Sequence, residues 1–225
     1  MKYGDGWEPA KVDWSSTRGR ILLVASTLFA QRGYFGTSTR DIAEAVQIRQ
    51  PSLFYHFDAK HDIFRTLIEL DLGPSINRLG SRLEESSEWA EKLHLAVACD
   101  VREMLVQPFD SRGLYQDAVL SMDVFAAERA GIELYHELVE SVIIGGQEAG
   151  EFVEAEPGFV LRAINGVMFE TLREHGGPGG RVRSQRPLQV ADFVVRALLV
   201  DHDALSRIRR ATTARLEDLE TAAAR

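Results

Sequence analysis

A single cysteine, Cys99, stands among 225 residues, so no internal disulfide can form. That usage fits a reducing compartment, the cytoplasm. Apolar runs are short. None approaches the roughly 18 residues that cross a bilayer, so no membrane partner is expected. The opening MKYGDGWEPAKVDW has no apolar stretch of the signal-peptide kind. Catalytic signatures are missing too: no nucleophile elbow, no P-loop and no dinucleotide fingerprint. The glycine-rich run Gly176–Gly180 lacks the Lys-Ser/Thr that a phosphate loop needs. The six histidines, at 56, 61, 94, 136, 175 and 202, show no metal-ligand spacing, and Cys99 completes no cluster. An enzyme, a metal site and a resident cofactor are therefore not expected. Net charge is −8, which argues against uniform attraction to nucleic acid, but its distribution is uneven. Residues 1–65 hold 9 basic and 7 acidic groups, whereas residues 66–225 hold 17 basic and 27 acidic. The first third is therefore relatively basic, and an acidic remainder would repel phosphate.

What the sequence does contain is concentrated in Thr37–Lys60, TSTRDIAEAVQIRQPSLFYHFDAK. Ser38 and Asp41 form a capping-box pattern ahead of the apolar stripe Ile42, Ala45 and Val46. Val46-Gln47-Ile48 reads as a tight turn. Pro51 fits the first position of a second helix, where its missing N–H is no loss. Leu53 and Phe57 lie four apart and share the inner face of that helix. Pro51, Ser52 and Tyr55 then face outward, flanked by Phe54 and His56. An outer face of small, aromatic and hydrogen-bonding groups suits an element lying in a DNA major groove. Thr39 and Arg40, in the first turn of the leading helix, suit a phosphate. Arg49 can pair with guanine and Gln50 with adenine. Lys60 has the chemistry of a phosphate clamp.

These residues resemble the helix-turn-helix of the tetracycline-repressor (TetR) family of bacterial transcription regulators. The resemblance rests on Gly33-Tyr34-Phe35, on Thr37-Ser38-Thr39-Arg40-Asp41-Ile42-Ala43, and above all on Gln50 through Phe57 followed by Lys60. It covers about Arg18 to Leu70 strongly and Gly146–Glu170 weakly. It implies that Thr39, Arg40, Gln50, Pro51, Ser52, Phe54, Tyr55, His56 and Lys60 occupy the positions the family uses at DNA. Two departures stand out. Gln47 replaces a turn glycine, at a cost of roughly 1 kcal/mol if its backbone is left-handed. Phe54 replaces a frequent tyrosine.

The fold class read from the whole chain is all-α, an N-terminal three-helix domain with the helix-turn-helix followed by a helical effector and dimerisation domain. Residues 1–14 read as a mobile arm and 15–60 as the DNA-binding domain, with a connecting helix over 59–72 that Gly73-Pro74 ends. Residues 73–203 form the ligand-binding and dimerisation domain. Its helices are expected near 75–86, 88–107, 114–128, 132–149, 157–175 and 188–200, with a flexible loop from Gly176 towards Pro187. The tail 204–225 reads either as an added amphipathic helix or as a frayed end. Helices 157–175 and 188–200 are apolar on more than one side, so they need more than one partner surface. In the resembled family the last two long helices build a dimer interface. That assigns Ile164, Val167, Met168, Val190, Phe193, Val194 and Ala197 to contact with a second copy, though a single large core is the plainer reading. The family also implies a small-molecule site, with Trp89, His94, Met104, Tyr115, Met122, Phe125 and His136 as candidate lining. Such a lining favours an apolar or aromatic effector. The expectation is a ligand-released repressor that binds a palindromic double-stranded DNA operator as a homodimer. The alternative is a helical ligand-binding or catalytic protein with a vestigial DNA reader.

Overall fold

The computed structural model describes residues 11–83, 88–178 and 185–223. Most of the expected arm, the middle of the Gly176–Pro187 loop and the last two residues of the tail lie outside them. Among the described residues there are ten α-helices and no strand, only an isolated bridge between Phe152 and Leu199. The helices are α1 (Thr17–Arg32), α2 (Thr39–Val46), α3 (Gln50–Phe54), α4 (Lys60–Leu83), α5 (Trp89–Val106), α6 (Asp117–Leu120), α7 (Ala126–Glu148), α8 (Pro157–His175), α9 (Arg186–Leu198) and α10 (Leu205–Ala223). None of them is long and apolar enough to cross a membrane.

The helices fall into two compact units. The first runs to Pro74 and also takes Gln107–Glu133 and a short stretch from Gly176. Its core is aromatic. The Phe64 ring lies 5.4 Å from Phe29, 4.9 Å from Tyr34 and 5.2 Å from Phe125. Each such pair adds about 0.5–1.5 kcal/mol beyond its buried area. Phe109, Leu114 and Phe125 are all buried here, so Gln107–Glu133 is part of this unit. The boundary expected at residue 73 did not foresee that, because the segment is distant in sequence from the helices it covers.

The second unit holds Ser75–Val106, Leu134–His175 and the chain from Arg181. Helix α5 is its centre and packs against α8, α9 and α10. Leu93, Val97, Ala98 and Val101 of α5 meet Val139 and Ile143 of α7, Ile164 and Met168 of α8, and Val190 and Val194 of α9 in one core. Close packing sets composition at Gly145 and Gly146 of α7. A Cβ there would lie 2.6 Å from the Trp89 ring and 2.1 Å from the Phe152 ring. The tail is an ordered helix: α10 docks through fully buried Ile208 and through Thr212.

Three sequence expectations are corrected by these elements. Helix α4 does not stop at Gly73-Pro74 but carries Pro74 in its interior. Its buried stripe Leu67, Ile68, Leu72, Ile76 and Leu79 continues past the proline, so packing outweighs the lost backbone hydrogen bond. The helix expected over 114–128 is broken into α6 and short 3-10 turns at Ser111–Gly113 and Asp123–Phe125. In exchange α7 starts at Ala126 and passes straight through Gly131, because one glycine costs a helix only about 1 kcal/mol.

Candidate nucleic-acid interface

The two short helices of the first unit are set by local chemistry. The Ser38 hydroxyl accepts from the Asp41 N–H at 3.1 Å, and the Asp41 carboxylate accepts from the Ser38 N–H at 2.8 Å, which completes the capping box. The Ser38 hydroxyl also donates to that carboxylate, and this bond, followed by the one from the Ser38 N–H, holds the Asp41 carboxyl below its ordinary pKa. Helix α2 ends on Gln47, at φ 63° and ψ 42°. The N–H of Ile48 donates to the Ala43 carbonyl at 3.0 Å and that of Gln47 to the Glu44 carbonyl at 3.0 Å, a Schellman closure. Among the described residues Gln47 alone is a non-glycine with positive φ. Arg49 then opens α3 in extended conformation, with Pro51 in the first turn. Leu53 and Phe57 are buried, as their spacing predicts.

Helix α3 is short. It ends at Phe54, so Tyr55 and His56 sit on the turn that follows. Arg40, Arg49, Gln50, Pro51, Ser52, Phe54 and Tyr55 are exposed, Tyr55 by 86%. Thr39 and His56 are half-buried. The Gln50 side-chain amide donates to the Thr39 hydroxyl at 3.0 Å, which joins the start of α2 to the start of α3. The Tyr55 ring stands edge-on to His56 with centroids 5.2 Å apart. The outcome is an outward edge carrying cations, amides, hydroxyls and an aromatic, backed by an apolar core.

Lys60 makes contacts within its own unit. Its Nζ donates to the carbonyls of Tyr34 at 2.7 Å and Thr37 at 2.8 Å, and it lies 4.0 Å from the centre of the Tyr34 ring. Burial pushes this ammonium below its ordinary pKa. Two of the three N–H bonds of this ammonium are thus directed at carbonyls of its own fold. Two arginines on α1, which sequence reasoning passed over, act similarly. Arg20 donates to the Val46 carbonyl at 2.7 Å, and Arg18 donates to the His56 carbonyl at 2.7 Å while its guanidinium covers the Phe57 ring. These contacts span 26 and 38 residues, so local pattern carries no sign of them.

The candidate effector lining divides between the two units. Tyr115, Met122 and Phe125 belong to the first unit, and Trp89, His94, Met104 and His136 to the second. Phe125 is core, Met122 is exposed, and the Tyr115 hydroxyl donates to the Asp71 carboxylate. Trp89 is a core-flanking ring under Lys92, and Met104 packs against the same core. His94 is fully buried, with Nδ1 2.8 Å from the Thr212 hydroxyl and Nε2 3.0 Å from the Asp192 carboxylate, which also pairs with Arg209. Burial holds the His94 pKa below its ordinary value. His136 Nε2 lies 3.5 Å from Asn165. A cavity of about 10 Å³ does exist in the second unit, between α4, α5, α7 and α8, but its walls are Leu79, Val97, Tyr135, Val139, Leu161, Asn165 and their neighbours.

The proposed dimer residues also divide. Ile164, Met168, Val190 and Val194 are buried in this chain's own core, and Val167 packs against it. Phe193 and Ala197 face outward, Phe193 by 64%. Phe159 and Phe169 of α8 are exposed as well, with Ala163 and Gly166 beside them. Both faces of these helices are apolar, and spacing alone could not say which one turned inward.

Comparison with known proteins agrees with this layout. The family model described as "Bacterial regulatory proteins, tetR family" matches residues 21–67. The biofilm operon icaADBC HTH-type negative transcriptional regulator IcaR of Staphylococcus epidermidis is 42% identical over 52 residues, 23% of this chain and 28% of that protein. The match thus spans little more than a quarter of the length of the curated relative. Over nearly the whole chain, the crystal structure of Mycobacterium smegmatis AmtR is similar with a TM-score of 0.78 at 25% identity, covering 93% of this chain and 98% of that one. The structure of AibR in complex with isovaleryl coenzyme A and operator DNA shares the fold, with a TM-score of 0.63 at 20% identity over 82% of this chain and 98% of that one.

Proposed function

We propose that this chain, whose N-terminal domain belongs to the tetR family of bacterial regulatory proteins, is a transcriptional repressor that grips operator DNA as a homodimer and releases it on binding a small-molecule effector. The observation that carries this reading is the exposed edge of α2 and α3. Arg40, Arg49, Gln50, Ser52 and Tyr55 project from α2, α3 and the residues that flank α3, while the inner faces of the two helices are used by the core. Arg49 and Gln50 are suited to base edges, and Thr39, Arg40 and Tyr55 to the backbone. The negative sign of regulation draws on the likeness to IcaR.

A single reader offers few charges, so a symmetric pair is needed for firm binding to half-sites one helical turn apart. The outward faces of α8 and α9, with Phe159, Phe169 and Phe193 exposed, support a second copy as the cover. The effector site is the cavity among α4, α5, α7 and α8. At about 10 Å³ it holds no more than a water in this state, so an effector must spread the bundle. Preference for that opened state would weaken DNA binding by typically 1–3 kcal/mol. The walls are apolar apart from Tyr135 and Asn165, which suits an apolar or aromatic effector bearing a hydrogen-bonding group.

Fluorescence anisotropy of the full chain tests the reading. The probes are a duplex selected by the protein from a random library and an unrelated duplex of equal length. Tight, selective binding that falls steeply with salt is expected. Tyr55→Ala or Arg49→Ala should cost about 1–3 kcal/mol of that affinity without unfolding the chain, since both side chains are exposed. Equal and weak binding to every duplex would overturn the proposal.

A further inference from the structure

We infer that Tyr135 is the residue through which a molecule in the cavity of the second unit acts on α4, by way of the buried carboxylate of Asp100 and the guanidinium of Arg78. Tyr135 is then a positioning residue that touches no DNA. This deepens the regulator reading and rests on it for the identity of the effector site.

Among the side chains that enclose the cavity, only Tyr135 and Asn165 bring a polar group. The Asn165 amide faces His136 of α7 at 3.5 Å. The Tyr135 hydroxyl, also from α7, donates instead to the Asp100 carboxylate on α5. The other oxygen of that carboxylate accepts from Arg78 of α4 at 2.9 Å. Arg78 also donates to the Glu103 carboxylate of α5, and to the Ser75 hydroxyl at 3.1 Å. One carboxylate thus joins a wall of the cavity to α4. Asp100 is only 7% exposed, so water does little to replace a donor that it loses. At about 10 Å³ the cavity has room for no more than a water, and a larger occupant must push its walls apart. When the Tyr135 ring moves, its hydroxyl loses alignment with Asp100, and hydrogen bonds weaken steeply with misalignment. Asp100 is then one donor short in a buried site, and it must turn towards Arg78 or towards water. Either way its tie to α4 changes. Helix α4 runs without a break from Lys60, which follows the reader, to Leu83. Pro74 lies in its interior and removes a backbone hydrogen bond just ahead of Arg78, so the helix yields there most readily.

The test uses side chains in place of an effector. Tyr135→Phe keeps the ring and removes the donor. It should weaken binding to the selected duplex by on the order of tenfold, the scale of an allosteric coupling. Its salt slope should stay that of the natural chain, because no group that faces DNA has changed. Val139→Ala loosens the same wall without touching Asp100, and should keep the natural affinity. Ala96→Leu adds carbons to the wall as a covalent occupant. It should weaken the natural chain much as Tyr135→Phe does, and add little on top of Tyr135→Phe, since both act through one bond. Leu79 of α4 lines the cavity as well, and this additivity separates direct pressure there from the route through Tyr135. Natural affinity in Tyr135→Phe or in Ala96→Leu overturns the inference. So does an equal loss in Val139→Ala, which marks general loosening, and so does full additivity of Ala96→Leu with Tyr135→Phe. A second arm uses no DNA. Amide hydrogen exchange over residues 75–79 of α4 should quicken in Tyr135→Phe and not in Val139→Ala. Unchanged exchange in Tyr135→Phe would also overturn it. If the natural chain selects no duplex, the regulator reading fails, while this arm still decides whether Tyr135 holds α4.

Discussion

Gln47 is the residue under most backbone strain in the DNA reader. Its left-handed φ of 63° closes α2, and an L side chain there costs roughly 1–2 kcal/mol. Gln47→Gly removes that cost and restores some unfolded-chain entropy, which opposes it by about 0.4–1 kcal/mol. The net should be stabilising by about 0.5 kcal/mol, read as a small rise in the melting temperature with DNA binding retained. His94 makes a different residue-level prediction. It is buried with Asp192, Arg209 and Thr212 around it, and its folded pKa lies below the unfolded value of 6.5, chiefly through desolvation. The unfolded chain therefore binds the proton more readily than the folded one. Stability should be complete above about pH 7 and fall as pH drops through 6.5. Chemical denaturation at pH 7.5 and 5.5 should show this loss, and His94→Gln should shrink the difference. An equal difference in both chains would mean that the His94 pKa does not change on folding.

At the scale of elements, α4 is the case where tertiary packing overrides a local stop. Pro74 lies inside it, at the place where the two units divide. An interior proline costs a helix about 3 kcal/mol. Buried Leu72, Ile76 and Leu79 on either side supply the compensation, at about 1.5–3 kcal/mol per fully buried large side chain. Pro74→Ala should therefore raise the unfolding free energy by about 1–3 kcal/mol, or several degrees in melting temperature. No rise would show that the helix around Pro74 has relaxed around the ring. Helix α10 makes the opposite point. Its sequence is sparse in apolar residues, yet Ile208 and Thr212 are buried and Arg207 pairs with Glu88 and with Glu91 at 2.9 Å. A tail that sequence left open as helix or frayed end is helical because α5 and α9 provide a surface for it.

For the whole molecule the sharpest prediction separates two neighbours on α9. Phe193 is 64% exposed, whereas Val194 is 6% exposed within the core. Phe193→Asp should yield a folded monomer on analytical ultracentrifugation, with much weaker operator affinity because only one half-site is held. Val194→Asp should instead cost several kcal/mol of stability, since it buries a charge without a partner. A Phe193→Asp chain that stays dimeric would move the interface to another face. Both helices look equally apolar in sequence, so only this contrast tells a face turned to the core from one turned to a second copy.

Sequence by itself determined what depends on near neighbours. The Ser38–Asp41 box, the Gln47 turn, Pro51 in the first turn of α3 and the buried pair Leu53 and Phe57 are set within a few residues, where hydrogen-bond geometry and helical period leave little choice. The helical class and the exposed reader edge follow from the same short-range rules. Tertiary structure decided everything that hinges on which partner arrives. It placed Gln107–Glu133 on the N-terminal helices, carried α4 past Pro74, and gave His94, Phe125 and Tyr115 partners inside their own units. It also turned Lys60, Arg20 and Arg18 inward to carbonyls. A cation's type says that it will find a negative partner, but only packing says which carbonyls of the fold come within its reach.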